Sequence, residues 1–231
     1  MDFSKRSYQA ELLDADDIPQ ADLYRNLREL AFINSYLGGH ALTLRGLEKL
    51  LQPARKHYHI VDIGSGGGDS LKNIALWGRK KKLDLQLTGI DLKADCIAYA
   101  RENCRNYPEI SFIQSDYRAQ QGIKADIFTS MLFCHHLPDD ALKGYFQWVS
   151  QNAAVGFLVN DLHRHALAYG SIKLLSKLFS SSYLVKNDAP LSVRRAFRKA
   201  EWQAFLPEAI RQEVKVEWAW AFRWLVYYRQ L

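Results

Sequence analysis

The amino-acid sequence predicts an α/β protein built on a mostly parallel sheet with helices on both faces. Between residues 59 and 162, short β-branched runs alternate with helical stretches, as is typical of a parallel sheet. The length of 231 residues suits a single domain. The composition, 48% hydrophobic and 24% charged, excludes a disordered chain and a bare coiled coil. No apolar run approaches the ~18 residues of a membrane span, and three cysteines at no metal-ligand spacing favour a reduced, cytoplasmic protein.

The predicted elements follow one another in a regular order. Helical spacing of apolar residues predicts two helices in a helical extension over residues 1–52, at 21–36 and 41–51. Five strands are then predicted, with helices between most of them; the strands cover 59–64, 85–91, 110–116, 125–133 and 153–162, and the helices cover 69–77, 93–104 and 139–150. A helix over 165–179 and another from Lys199 lead to strands at 213–220 and 222–228. The last two strands are so close in sequence that they must pair as a hairpin, which makes one of them antiparallel to the rest.

Glycines connect the first predicted strand to the helix after it, in Asp62-Ile63-Gly64-Ser65-Gly66-Gly67-Gly68. Glycines let the backbone turn sharply and approach a ligand, and the helix start adds free N–H groups. The spacing Gly64-x-Gly66-x-Gly68 does not fit the G-x-G-x-x-G pattern of dinucleotide-binding folds. Asp62 would repel a pyrophosphate, but it suits a ligand that carries an ammonium or sulfonium group.

Two more acidic residues follow the next two strands, at the sheet edge where such folds bind ligands. Asp91 ends the second strand and is placed to accept hydrogen bonds from the ribose hydroxyls of an adenosine. Asp116 ends the third strand and is placed to accept from an adenine amino group, with Tyr117 against the ring. The loop and the acids at three successive strand ends therefore predict a nucleoside ligand with a positive charge.

From Tyr58 to Leu162 the sequence resembles the class I S-adenosylmethionine (SAM)-dependent methyltransferases. For this chain the resemblance implies a Rossmann-like, seven-stranded sheet of order 3-2-1-4-5-7-6, in which one strand is antiparallel to the others. It also implies that SAM is the cofactor and S-adenosylhomocysteine (SAH) the product. The expected cofactor-binding residues are Asp62, Gly64, Ser65, Gly66, Gly68, Asp91, Leu92, Asp116, Tyr117 and Leu132. Residues 26–30, 37–40, 160–164 and 191–197 resemble bacterial small-molecule methyltransferases often associated with polyketide or quinone-type phenols.

Histidines follow the fourth and fifth predicted strands. His135 is predicted to face the acceptor and take its proton. Adjacent side chains leave a strand end in opposite directions, so a structural role is expected for His136. Because it lies next to His135, it is also kept as a candidate substrate-binding residue. His163 is the second candidate base, and the alternative is a polar cluster that only surrounds a helix start. Asp161 would cap a helix or orient a histidine.

Residues 163–197 are predicted to form a helical cap over the substrate. This connection is far longer than the about 10–12 residues that a crossover needs, and its helix carries an apolar stripe that includes Leu175 and Leu178. The stripe would face the core, an apolar substrate or a membrane surface. Arg194 and Arg195 would neutralise an acidic group of the substrate or be solvated, and Arg164 is a further substrate candidate.

These observations predict a cytoplasmic SAM-dependent methyltransferase that acts on the oxygen of a small apolar or phenolic metabolite, with no metal site. The net charge of +6 keeps an RNA or protein methyltransferase open. Nucleic acid is nevertheless not the expected partner, because the fourth strand lacks the Asn/Asp-Pro-Pro-aromatic motif of nucleobase amino methylation. A non-catalytic SAM-binding protein is the other alternative, while the glycine spacing disfavours an NAD-linked oxidoreductase. Peripheral membrane contact and the oligomeric state stay open.

Overall fold

The computed structural model describes residues 2–120 and 122–230, in which seven strands form one sheet of order β3-β2-β1-β4-β5-β7-β6. The strands are β1 (His57–Ile63), β2 (Asp84–Asp91), β3 (Ile110–Gln114), β4 (Ala125–Met131), β5 (Ala153–Leu162), β6 (Lys215–Ala219) and β7 (Arg223–Arg229). Strands β1 to β5 pair in parallel, and β7 is antiparallel to both β5 and β6. The predicted strand order and the single antiparallel strand are confirmed.

The helices are α1 (Gln20–Tyr36), α2 (Gly39–Leu50), α3 (Asp69–Lys81), α4 (Ala94–Asn103), α5 (Asp139–Asn152), α6 (Ala166–Phe179), α7 (Tyr183–Arg195) and α8 (Lys199–Phe205). Helix α7 is the one that the sequence did not predict. It contains Pro190, and a proline inside a helix removes a hydrogen bond and argues against helix at the sequence level. Most residues on one side of α7 are buried, among them Leu184, Val185 and Leu191, so tertiary packing holds this helix despite the proline.

The sheet is buried on both faces, which makes it a rigid support for the site. Phe157 packs with Phe146 of α5 and Trp202 of α8 on one face. Leu158, the next residue of β5, packs with Leu47 of α2 on the other face. Neighbouring side chains of a strand point to opposite faces, so one continuous apolar strand supplies both halves of the core.

Helices α6 and α7 stand beyond the carboxyl ends of β4 and β5, where they enclose a cavity together with α1. The amino-terminal segment holds α7 in place, because the Arg6 guanidinium donates to the Arg195 carbonyl oxygen at 2.8 Å and to the Asp139 carboxylate at 2.7 Å. None of the helices in the described residues combines the length and the apolar character needed to cross a lipid bilayer.

Candidate active site

The glycine loop after β1 bends sharply at three positions. Gly64, Gly66 and Gly68 have φ angles of 70°, 49° and 75°, values that favour glycine. A Cβ atom at Gly64 would lie 2.3 Å from the Phe133 ring, while one at Gly66 would meet nothing closer than 3.9 Å. Gly66 therefore leaves open space in front of the backbone, whereas Gly64 is needed for close packing.

The loop opens into a cavity of about 430 Å³ at the carboxyl ends of β1, β2 and β4. All of the expected cofactor-binding residues line this cavity except Gly68; they are Asp62, Gly64, Ser65, Gly66, Asp91, Leu92, Asp116, Tyr117 and Leu132. Gly68 caps the start of α3 instead, and a Cβ atom there would lie 2.8 Å from the Phe112 ring. The structure thus assigns Gly68 to the shape of the loop and brings the other nine residues together around one cavity.

Two carboxylates in this cavity, those of Asp91 and Asp116, accept hydrogen bonds from neighbouring residues of the chain. Asp91 Oδ2 accepts from the backbone N–H of Gly66 at 2.9 Å, and Asp91 Oδ1 accepts from that of Lys93 at 3.0 Å. These bonds tie the end of β2 to the glycine loop. Asp116 accepts from the side chain of Arg118 through both oxygens, at 3.0 and 2.9 Å from Nε. The hydrogen bond with Arg118 lowers the pKa of Asp116, and the sequence did not predict that this carboxylate would be so engaged.

Asp62 is buried at the end of β1, and its Oδ1 accepts from the Thr129 hydroxyl at 2.8 Å. Burial raises the pKa of Asp62 to about 7, and the charges of Asp69 and Asp91 act in the same direction. A positively charged ligand in the cavity would favour the ionised carboxylate. This geometry suits the ammonium or sulfonium group that the sequence predicted.

A second cavity of about 380 Å³ adjoins the first and is lined mainly by aliphatic side chains from α1, α6 and α7. The two cavities share five lining residues: Leu13, Leu30, Asn34, Leu132 and His136. A ligand in the second cavity would therefore meet one in the first at this shared wall.

His135 lies in the wall of the second cavity and is buried. Its Nδ1 is 2.8 Å from Asp161 Oδ1, and Asp161 also accepts from the backbone N–H groups of His135 and Leu162. These contacts lower the pKa of Asp161. An ionised carboxylate can only accept, so Nδ1 carries a hydrogen, and Nε2 is the atom that would offer a lone pair in the neutral ring. Asp161 thus orients a histidine, one of the two roles considered for it.

His136 does not point away from His135, which corrects the sequence argument. Strand β4 ends at Met131, and residues Cys134–His136 form a 3₁₀ turn, so the alternation of a strand does not apply to them. The two imidazole centres lie 4.4 Å apart, and both rings line the second cavity. His136 Nδ1 is 3.0 Å from the Asp14 carboxylate.

Glu11 completes this cluster from the amino-terminal segment, and the sequence analysis missed it. Glu11 Oε1 is 3.7 Å from His135 Nε2 and accepts from the Ser192 hydroxyl at 2.9 Å. Burial raises the pKa of Glu11 to about 7. No motif surrounds Glu11, so only the contact between chain segments distant in sequence reveals it.

Glu11, His135 and His136 each offer one ligand atom, and these atoms lie within 4.8 Å of one another. Such a group could hold a metal ion in principle. However, Arg195 Nε lies 3.7 Å from the Glu11 carboxylate, and its positive charge would repel a cation. We therefore assign no metal to this cluster.

Several predicted residues lie elsewhere. His163 accepts from the Trp218 indole at 3.3 Å and lines neither cavity. Arg164 is buried against Glu201, with 2.5 Å between Nη2 and Oε1, and Arg194 lines neither cavity. Both arginines and His163 therefore lie outside the candidate site, and contacts with Glu201 and Trp218 hold Arg164 and His163 away from it.

Of the remaining cap residues, Leu175 lines the second cavity, whereas Leu178 is 63% exposed and does not. Helix α6 turns only part of its apolar stripe inward, so Leu178 is also dropped. Arg195 is buried and donates to the backbone oxygens of His135 and His136 at 3.1 and 3.0 Å. These two hydrogen bonds hold the backbone of the 3₁₀ turn that carries both histidines.

Comparisons with known proteins agree with this architecture. Residues 60–156 match the family described as "Methyltransferase domain". The plantazolicin methyltransferase BpumL in complex with SAH is 19% identical, with a TM-score of 0.58 over 86% of this chain and 72% of that chain. Magnesium protoporphyrin IX methyltransferase from Synechocystis PCC 6803 with bound SAH is 12% identical, with a TM-score of 0.53 over 99% and 91%. Human N-acetylserotonin methyltransferase in complex with SAM is 15% identical, with a TM-score of 0.64 over 98% and 63%. No curated protein matches the sequence.

The seven-stranded sheet of this order is the fold of these SAM-dependent methyltransferases, and residues 60–156 match a methyltransferase domain. The resemblance noted in the sequence is confirmed. Residues 60–156 accordingly carry a methyltransferase domain.

Proposed function

We propose that this enzyme transfers the methyl group of SAM to an oxygen of a small, apolar, phenolic acceptor. One observation carries the proposal: an apolar cavity of about 380 Å³, with His135 in its wall, shares a wall with the cavity that the glycine loop forms. A cavity of this size suits a small molecule. The structural neighbours are named as methyltransferases of small molecules, such as N-acetylserotonin, which supports the same class of acceptor.

We further assign the first cavity to SAM. Asp91 would accept from the ribose hydroxyls, Asp116 and Tyr117 would contact the adenine, and Asp62 would lie near the methionine ammonium group. Bound SAM supplies a methyl group on a sulfonium, which is an already activated leaving group. The protein must then hold the two reactants in contact and exclude water, and such positioning contributes about 7–11 kcal/mol.

His135 is the proposed general base. In the neutral ring Nε2 would accept the proton of the acceptor, and the Asp161 carboxylate would stabilise the imidazolium that forms. An ordinary phenol has a pKa near ~10 and an ordinary imidazole one near ~6.5, so complete transfer before attack is unfavourable by about 5 kcal/mol. The proton must therefore leave as the methyl group moves, or the site must make the phenol more acidic.

Residues 163–197, which contain α6 and α7, are the proposed cap of a single domain over residues 1–231. The cap contributes Ala168, Ile172 and Leu175 of α6 and Val185 of α7 to the second cavity. Burial of apolar surface against these side chains would select a hydrophobic acceptor.

The test is a methyl-transfer assay with isotopically labelled SAM over phenols, quinols, fatty acids, RNA and protein. We expect the label to be transferred to the phenols. His135→Ala and Asp161→Asn should each lower turnover by ~10²-fold or more with SAH affinity almost unchanged. His163→Ala is the matched control, since this histidine lines neither cavity. Transfer of the label to RNA or protein would favour an RNA or protein methyltransferase. SAH binding without any labelled product would favour a non-catalytic SAM-binding protein.

A further inference from the structure

Arg223 is a buried arginine in the wall of the second cavity that the proposed reaction does not use. It begins β7 and is only 2% exposed. Its Nη2 donates to Asn34 Oδ1 at 2.9 Å and its Nη1 donates to Asn160 Oδ1 at 3.4 Å. Its Nε is buried and has no hydrogen-bond partner in the described part of the chain. A guanidinium has five N–H donors, so most of its donors are unused.

Arg223 also has no carboxylate within ion-pair distance among the described residues, and the buried Asp161 carboxylate acts on its charge only from farther away. The other buried arginines each have a carboxylate within 4.0 Å: Arg6 has Asp139, Arg164 has Glu201 and Arg195 has Asp14. Over residues 2–120 and 122–230, Arg223 forms no such ion pair. Its two partners are neutral asparagines. A buried charge without a close partner is costly, so the wall at Arg223 favours an anionic oxygen, although the carboxyl groups of Glu11 and Asp188 also line this cavity.

The surroundings keep this guanidinium in place beside the junction of the two cavities. A Cβ atom at position 39 would lie 3.0 Å from Arg223 Nη2, so Gly39 leaves the room that the side chain occupies. Asn34, which holds Nη2, lines both cavities. The Asn160 backbone oxygen accepts from the N–H of Leu132, another residue of the shared wall. One partner of Arg223, Asn34, thus belongs to the boundary across which a methyl group would pass, and the other, Asn160, is hydrogen-bonded to that boundary.

We propose that Arg223 determines acceptor specificity by binding an ionised oxygen of the acceptor, so that the enzyme selects oxyanions over neutral molecules of the same shape. This inference rests on the proposed function in treating the second cavity as the acceptor site. Charge-assisted hydrogen bonds from guanidinium to an anionic oxygen are about twice as strong as neutral ones. Burial lowers the pKa of Arg223 to about 10, which leaves the group charged at neutral pH. A phenol bound beside this charge would ionise more readily, which reduces the proton-transfer gap to an imidazole.

The test measures binding rather than turnover, in the complete protein saturated with SAH. The probe para-nitrophenol absorbs visible light when ionised, so a spectroscopic pH titration reports the pKa of the bound probe. Calorimetry with para-butylbenzoate and para-butylbenzyl alcohol compares an anion with a neutral molecule of similar shape. Because para-butylbenzoate is a carboxylate and para-nitrophenol gives a phenolate, the two anions together show which kind of oxyanion is bound. The variants are Arg223→Met and Arg223→Gln. Arg194→Met is the control, because Arg194 lines neither cavity.

We expect the wild-type protein to lower the pKa of bound para-nitrophenol and to prefer an anion by about tenfold or more. Both Arg223 variants should lose these effects, while Arg194→Met keeps them. Equal or weaker binding of the anions by the wild-type protein overturns the inference, as does a preference that survives in a folded Arg223 variant. If anion binding through Arg223 is found but no acceptor is methylated, the proposed function fails and this inference stands. If an acceptor is methylated but anions are not preferred, the proposed function stands and this inference fails.

Discussion

Glu11 offers a direct test of the buried cluster beside the two histidines. Its side chain is 3% exposed, accepts from Ser192 and lies 3.7 Å from the Arg195 guanidinium. Burial nevertheless raises the pKa of Glu11 from 4.5 to about 7. The substitution Glu11→Gln replaces the titrating carboxyl with a neutral group of nearly the same shape.

The magnitude follows from the difference between the folded and unfolded pKa values. Because the folded pKa is raised, the contribution of Glu11 to stability is fully present below its unfolded value of 4.5 and is lost as the pH rises through about 7. Each pKa unit corresponds to about 1.36 kcal/mol, so the total loss is about 3 kcal/mol. Most of it, about 2.5 kcal/mol, should occur between about pH 5 and about pH 8.

The assay is urea unfolding of the wild-type protein and Glu11→Gln at these two pH values. Relative to the wild-type protein, the variant should become more stable by about 2.5 kcal/mol at the higher pH. Asp62 also has a raised pKa, but it is present in both proteins and cancels in the difference. Glu208→Gln, at an exposed glutamate, is the control and should show no such trend. A wild-type minus variant difference that does not change with pH would refute the reasoning and mean that Arg195 keeps Glu11 ionised throughout.

Two further predictions concern the two cavities. Asp91→Ala should weaken SAH binding, measured by calorimetry, by about 1–3 kcal/mol because the ribose hydroxyls lose a charged acceptor; exposed Asp95→Ala is the control, and an unchanged Kd in a folded Asp91 variant would remove Asp91 from the site. Leu175→Ala should raise the KM for a long-chain phenol by about tenfold, at ~0.8 kcal/mol per lost methylene contact, whereas Leu178→Ala should not, since Leu178 is largely exposed. Equal effects of the two substitutions would mean that the cavity wall does not bind the acceptor.

The sequence by itself determined the fold and most of the first cavity. Alternating strand and helix patterns require a parallel sheet, and parallel strands bring their carboxyl ends to one edge. Asp62, Asp91 and Asp116 each lie at or just beyond the carboxyl end of a strand, so their meeting at that edge is a consequence of local pattern alone. The glycine loop is equally local, because the positive φ angles at Gly64 and Gly66 need residues without a Cβ atom.

Only the tertiary structure decided the lining of the second cavity. Glu11 comes from the amino-terminal segment and Arg223 from the last strand, and neither belongs to a motif, so only chain packing could bring them to one cavity. His135 and His136 point the same way because their turn is 3₁₀ rather than extended. Arg164 and His163 turn away because Glu201 and Trp218 hold them. Side-chain direction outside regular strands depends on contacts between distant segments, and no local pattern in the sequence encodes those contacts.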